Sequence, residues 1–144
     1  MDPSSCDIES LIPHRSPMRI VERVHTADDS SIETVSTVRE TWPTARDGQA
    51  RTLVLIELIA QSAAALVGWA ERDNPTRNRL GYLVGVPHAV FRRPLVPVGT
   101  VLHCHVRVAQ AIDNFRGFEA SVADEDGNEL ITATIQAIRP EEES

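Results

Sequence analysis

The sequence contains no lysine; all 14 of its basic side chains are arginine. A Schiff-base mechanism is therefore excluded, and no lysine serves as general base. Cysteine is nearly absent as well. Cys6 and Cys104 are the only two, too few for a disulfide framework or a thiolate zinc site. The N-terminus, Met1-Asp2-Pro3-Ser4-Ser5, has neither a basic n-region nor an apolar h-region, so the chain reads as one without a signal peptide. Positive charge is in deficit. A formal net charge of -7 argues against nucleic acid as a main partner, because phosphate binding requires a basic face. No apolar run reaches the ~20 residues that cross a bilayer; the longest, 53–69, is broken by Glu57, Gln61 and Ser62. The expectation is a cytoplasmic protein with no nucleic-acid and no membrane partner.

What is present suits one folded domain. At 144 residues, 42% apolar and 24% charged, the chain can enclose one core. Residues 1–144 read as a single domain with polar tails at 1–7 and 140–144. Asp7 can cap a short helical turn over 8–11 that Pro13 stops. Two strands follow, at 18–26 and 31–39, joined by the turn Ala27-Asp28-Asp29-Ser30. Residues 41–48 read as loop. Residues 50–72 form the one strong helix, ended at Asn74-Pro75. Its apolar positions run nearly all round from Leu53 to Val67, which predicts burial on every side, Glu57 included. Strands are expected at 81–91 (interrupted at Pro87), 101–109, 116–123 and 129–138, with a connection at 94–99 and a hairpin at 124–128. Successive hairpins and a single helix make the fold α+β with an antiparallel sheet of about five to six strands.

Three segments resemble the β-hydroxyacyl-ACP dehydratases. Leu11-Ile12-Pro13-His14-Arg15-Ser16-Pro17-Met18, followed by Ile20-Val21-Glu22-Arg23-Val24, is similar to the family's LPHRxP and (V/L)DRV pattern. Leu53-Val54-Leu55-Ile56-Glu57-Leu58-Ile59-Ala60-Gln61 resembles its central VLIVExMAQ helix. Residues 85–97, with Phe91-Arg92-Arg93-Pro94-Leu95-Val96-Pro97, resemble GxxxxxFxRPVxP. Each is weak alone; together, in order and at about the right spacing, they resemble a divergent branch of predicted dehydratases that includes proteins of aryl-polyene synthesis. The resemblance implies a hotdog fold, a sheet wrapped around the long central helix. It also implies a substrate carried on the phosphopantetheine of an acyl carrier protein, no metal or redox cofactor, and a homodimer or heterodimer. The main family keeps its catalytic histidine in a GHFPG loop before the helix. Counted back from Glu57, that position is Pro43, and residues 41–48 hold no histidine.

The candidate catalytic residues are Glu57 and His14. A carboxylate inside an apolar helix is either a structural ion pair with an arginine or a group retained for chemistry. By resemblance Glu57 is the general acid on the departing β-hydroxyl. His14 is the remaining candidate base for the C2 proton, set against a structural role for its motif. The candidate substrate-binding residues are Gln61, Thr52, Leu53, Phe91, Arg92 and Arg93. Gln61 lies one turn beyond Glu57, fitted to orient it, to hold a water or to satisfy nearby backbone. Thr52 stands where the family's helix-starting glycine would fall, so its N–H is the expected donor to the thioester carbonyl. Arg92 and Arg93 suit an acidic carrier or its phosphate, or a solvated strand end. His88 reads as an edge residue, and His103 and His105 as an outward pair lacking a third metal ligand. Two rivals stand beside the dehydratase: a non-catalytic hotdog subunit that completes an active partner or senses acyl chains, and an acyl thioesterase with the helix carboxylate activating water.

Overall fold

The computed structural model describes residues 2–74 and 82–139. Strands are β1 (Arg23–Ala27), β2 (Ser31–Thr37), β3 (Gln49–Arg51), β4 (Tyr82–Phe91), β5 (Leu95–Pro97), β6 (Val101–Ile112), β7 (Phe115–Asp124) and β8 (Glu129–Ile138); the helix α1 is Val54–Ala70. Six strands form one antiparallel sheet in the order β1-β2-β6-β7-β8-β4, and β3 pairs with β5 apart from it. The helix packs on β2, β6, β7 and β8. This is the expected α+β hotdog arrangement. No helix among the described residues is long and apolar enough to cross a membrane.

Alternation decides which face of the sheet meets the helix. Leu102, Cys104 and Val106 of β6 are fully buried, as are Val122 of β7 and Ile131 of β8; they close on Leu55, Leu58, Ile59 and Leu66 of α1. One polar cluster sits in this layer. The Thr34 and Ser62 hydroxyls lie 2.8 Å apart, and both hydrogen-bond the thiol of Cys104, which burial pushes up to about 12. Turns are locked by short acidic side chains. Asp28 accepts the N–H groups of Ser30 and Ser31, both at 2.8 Å, and Asp124 those of Asp126 and Asn128, before Gly127 at φ 82.

Several expected boundaries move. The helix starts at Val54 rather than residue 50, because 49–51 pair with 95–97, a stretch read as plain connection. It ends at Ala70, and Pro75, read as its stop, lies outside the described residues, as does Gly81. The first strand starts at Arg23, not residue 18: Ser16–Met18 form a turn, and the N–H groups of Ile20 and Val21 are taken by a helix side chain. Pro87 does not interrupt β4, since β4 is an edge strand and the register with β8 shifts between Gly85 and His88. Residues 2–7 are more ordered than a tail, with a 3-10 turn at Pro3–Ser5 and the expected cap by Asp7 on Ile8–Ser10.

The largest correction concerns the helix. It is not buried all round. Leu53, Ile56, Glu57, Ala60, Ala64 and Val67 form one stripe left half-buried or exposed, because the curl of the sheet ends at β4 and no element among the described residues covers that side. Next to the stripe, on the side of Gln61, the N-terminal segment closes tightly on the helix: a Cβ added to Gly68 would meet the carbonyl oxygen of Leu11.

Candidate active site

The uncovered stripe carries the carboxylate. Glu57 sits in the first turn of α1 with its side chain 44% exposed, not largely buried as its apolar neighbours predict. Two groups from opposite directions meet it. Gln61, one turn on, donates from Nε2 to Glu57 Oε1 at 2.9 Å. His14 Nε2, from the loop after Pro13, lies 4.0 Å from the same oxygen. Residues 47 apart in sequence thus share one carboxylate.

Gln61 is fully buried, and its amide is saturated. Oε1 accepts from Ile20 N–H at 2.8 Å and Val21 N–H at 3.1 Å. Nε2 donates to Met18 O at 2.8 Å and to Glu57. Two acceptors' worth of lone pairs and two N–H groups are all engaged, so no polar atom remains for a substrate. The side chain ties the N-terminal loop to the helix and orients Glu57 at once, which joins two of the roles expected of it.

The loop bearing His14 is fastened from behind. Arg15 donates to the carbonyls of Ile12 and His14, both at 2.8 Å, and to that of Glu9 at 3.0 Å. Glu9 also pairs with Arg19 at 3.1 Å. Sequence reading missed this clamp. Its only signal was the arginine adjacent to His14 in the motif. His14 Nδ1 is buried with no hydrogen-bond partner among the described residues.

The start of the helix is built differently from expectation. The Thr52 N–H does not face an open site; it donates to Pro94 O at 3.0 Å, and the Thr52 hydroxyl donates to Arg93 O at 2.6 Å. Unlike a glycine, threonine has a hydroxyl, and this one pulls residues 93–94 against the helix start. The next two N–H groups, of Leu53 and Val54, have no partner among the described residues, and Leu53 is 63% exposed beside them. In the preceding loop Thr44 and Asp47 adopt left-handed φ of 69° and 54°, and Thr44 Oγ1 accepts the Arg51 N–H.

The remaining candidates lie around this end. Phe91 is exposed at the end of β4. Arg92 pairs with Glu129 at 3.6 Å. Arg93 is exposed, and its charge adds to the backbone and Asn128 hydrogen bonds that hold the Asp124 carboxyl below the usual range. His88 is exposed on edge strand β4, and His103 and His105 lie on the outward face of β6, away from Glu57. No group of three or more metal-ligating side chains occurs among the described residues.

Comparison with known proteins fits this geometry. A family model described as ApeP-like, ApeP dehydratase, matches residues 6–144. The 3-hydroxyacyl-acyl-carrier-protein dehydratase FabZ of Pseudoalteromonas translucida is 30% identical over 141 residues, covering 94% of this chain and 92% of that protein. FabZ of Rickettsia massiliae is 33% identical over 126 residues, covering 83% and 84%. Among solved structures, the dehydratase heterocomplex ApeI:P from Xenorhabdus doucetiae superposes with a TM-score of 0.86 at 23% identity, covering 95% of this chain and 93% of that one. The chain therefore belongs to the ApeP-like dehydratases, within the FabZ-like hotdog dehydratase family.

Proposed function

We propose that the protein removes water from β-hydroxyacyl thioesters of acyl carrier protein, giving trans-2-enoyl thioesters. One observation carries this reading: the only carboxylate on the uncovered stripe of α1, Glu57, is oriented by Gln61 and faced by His14. Dehydration needs one group to take the C2 proton and one to protonate the leaving β-hydroxyl, and the Glu57–His14 pair can move both. The partnerless N–H groups of Leu53 and Val54 suit the thioester carbonyl as negative charge develops on it. The apolar stripe suits the acyl chain, and Arg92 and Arg93 suit the carrier's phosphate or acidic surface.

A second hotdog chain completes the site in this reading. The α1 stripe lies open, and edge strand β4 exposes Leu83, Val84 and Val86. A sheet edge flanked by exposed apolar side chains is the usual ground for pairing between subunits. The likeness to a solved heterocomplex supports a different chain as that partner, and so does the absence of a histidine from residues 41–48. The chain would then supply half of the shared tunnel.

The test is incubation of the protein with a β-hydroxyacyl carrier protein, alone and with a histidine-bearing dehydratase subunit. Loss of water is expected, and Glu57→Gln should lower its rate by roughly 10²–10⁴-fold. Turnover only in the mixture assigns the heteromeric form. Release of free acid would make the protein a thioesterase, and turnover indifferent to Glu57→Gln would end the proposal.

A further inference from the structure

We infer that Thr52 is a positioning residue, whose hydroxyl latches the arginine-bearing segment 92–94 onto the start of α1 and so sets how far a phosphate held there stands from the reacting thioester. The inference rests on the carrier-borne substrate proposed above. It moves Thr52 from the substrate contact that the sequence suggests to a role that acts through Arg92 and Arg93.

The hydrogen bonds carry it. Thr52 is buried. Its hydroxyl donates to Arg93 O at 2.6 Å and its N–H to Pro94 O at 3.0 Å. One residue thus holds two consecutive carbonyls of the connection between β4 and β5. The same connection is fixed from the other side, where Arg92 N–H donates to Leu130 O of β8 at 2.9 Å. Just beyond it, Leu95 pairs with Arg51. The segment is therefore fastened between the main sheet and the helix start. Between these fastenings the side chains of Arg92 and Arg93 stay exposed.

A glycine at position 52 would hold Pro94 O through its N–H, but it has nothing to offer Arg93 O. The hydroxyl bond is what threonine adds. Its use follows from the shape of the substrate. A phosphopantetheine arm has a fixed covalent length between phosphate and sulfur. Arginines that grip the phosphate help only if they stand at that reach from Glu57 and from the free N–H groups of Leu53 and Val54. A misplacement of about 1 Å in such a grip can cost on the order of 10²-fold. A buried bond from the residue next to Leu53 ties the grip to the helix start itself. Thr52 touches no reacting atom in this role, so its loss belongs to binding and raises KM while kcat holds.

Two thioesters that differ only in the phosphate test this on the full chain, with its hotdog partner present if turnover needs it: a β-hydroxyacyl-phosphopantetheine and the same acyl group on pantetheine. Thr52→Val keeps the shape and removes the donor. It should raise KM for the phosphorylated thioester by about tenfold more than for the other, the loss of roughly one hydrogen bond's worth of positioning, with kcat within about threefold. Thr52→Ser keeps the hydroxyl and should stay within about threefold of wild type on both. In a background of Arg92→Gln and Arg93→Gln, Thr52→Val should add less than about twofold, because the groups it acts through are gone. Equal KM changes on the two thioesters, a fall in kcat at constant KM, or full additivity with the arginine variants would each overturn the inference. If Thr52→Val does not fold, Thr52→Ala, which leaves room for a water at Arg93 O, takes its place. A wild type that dehydrates neither thioester removes the proposed function; calorimetric binding of the two thioesters to wild type and Thr52→Val then decides the latch by the same comparison, and a wild type that binds neither overturns it.

Discussion

Gln61 shows how one side chain can serve folding and chemistry together. It bonds Met18, Ile20 and Val21 on one side and Glu57 on the other. Gln61→Leu keeps the volume but strands two N–H groups and a carbonyl in the interior. At about 1–3 kcal/mol for each unmet group, urea denaturation should show a loss of about 3 kcal/mol or more. A loss below about 1 kcal/mol would mean that the loop finds other partners. The sequence made Glu57 and Gln61 legible as a pair, because four residues on a helix share a face. It could not reveal what else Gln61 holds. That contact joins positions some forty residues apart, and no periodicity records it. The exposure of Glu57 was misjudged for a related reason: the apolar pattern says that a side is covered, not that the chain itself covers it.

Secondary structure was read best where the patterned run is long. The alternation of β6 and β8 and the composition of α1 located those elements within a few residues. Strands β3 and β5 were missed because three residues are too few to show a pattern, and the second of them follows Pro94 and ends in Pro97. The layer between α1 and the sheet has its own test. Burial lifts the Cys104 thiol from 9.0 to about 12, against smaller opposing hydrogen bonds from Ser62 and Thr34. The unfolded thiol ionises first as pH rises, so the stabilisation from keeping it protonated is complete below about pH 9 and is lost as pH climbs toward about 12. Denaturation midpoints should fall over that alkaline range in wild type and fall less steeply in Cys104→Ala. Parallel decline in the two proteins would place the sensitivity elsewhere.

At the scale of the whole molecule, the uncovered side sets the behaviour. Leu83 and Val84 are 44% and 52% exposed on an edge strand, and the helix stripe containing Leu53, Ile56, Ala60 and Ala64 is left half-buried or exposed as well. Light scattering at micromolar concentration should give a dimer mass for the chain alone or with its hotdog partner. Val84→Asp should shift it to monomer by putting a charge on the pairing edge. A wild type that stays monomeric in both settings would contradict the pairing.

Two fixtures hold the N-terminal segment on α1: the backbone contact at Gly68 and Leu11, and the amide of Gln61 on residues 18–21. His14 lies in the stretch between them, opposite Glu57. The pair is therefore mounted on a bracket that owes nothing to β4, at the far edge of the sheet. If β4 is the pairing edge, as proposed, drift there retunes which subunit docks while the mounting stays as it was. Evolution can thus exchange partners as one swaps a lens, leaving the shutter untouched.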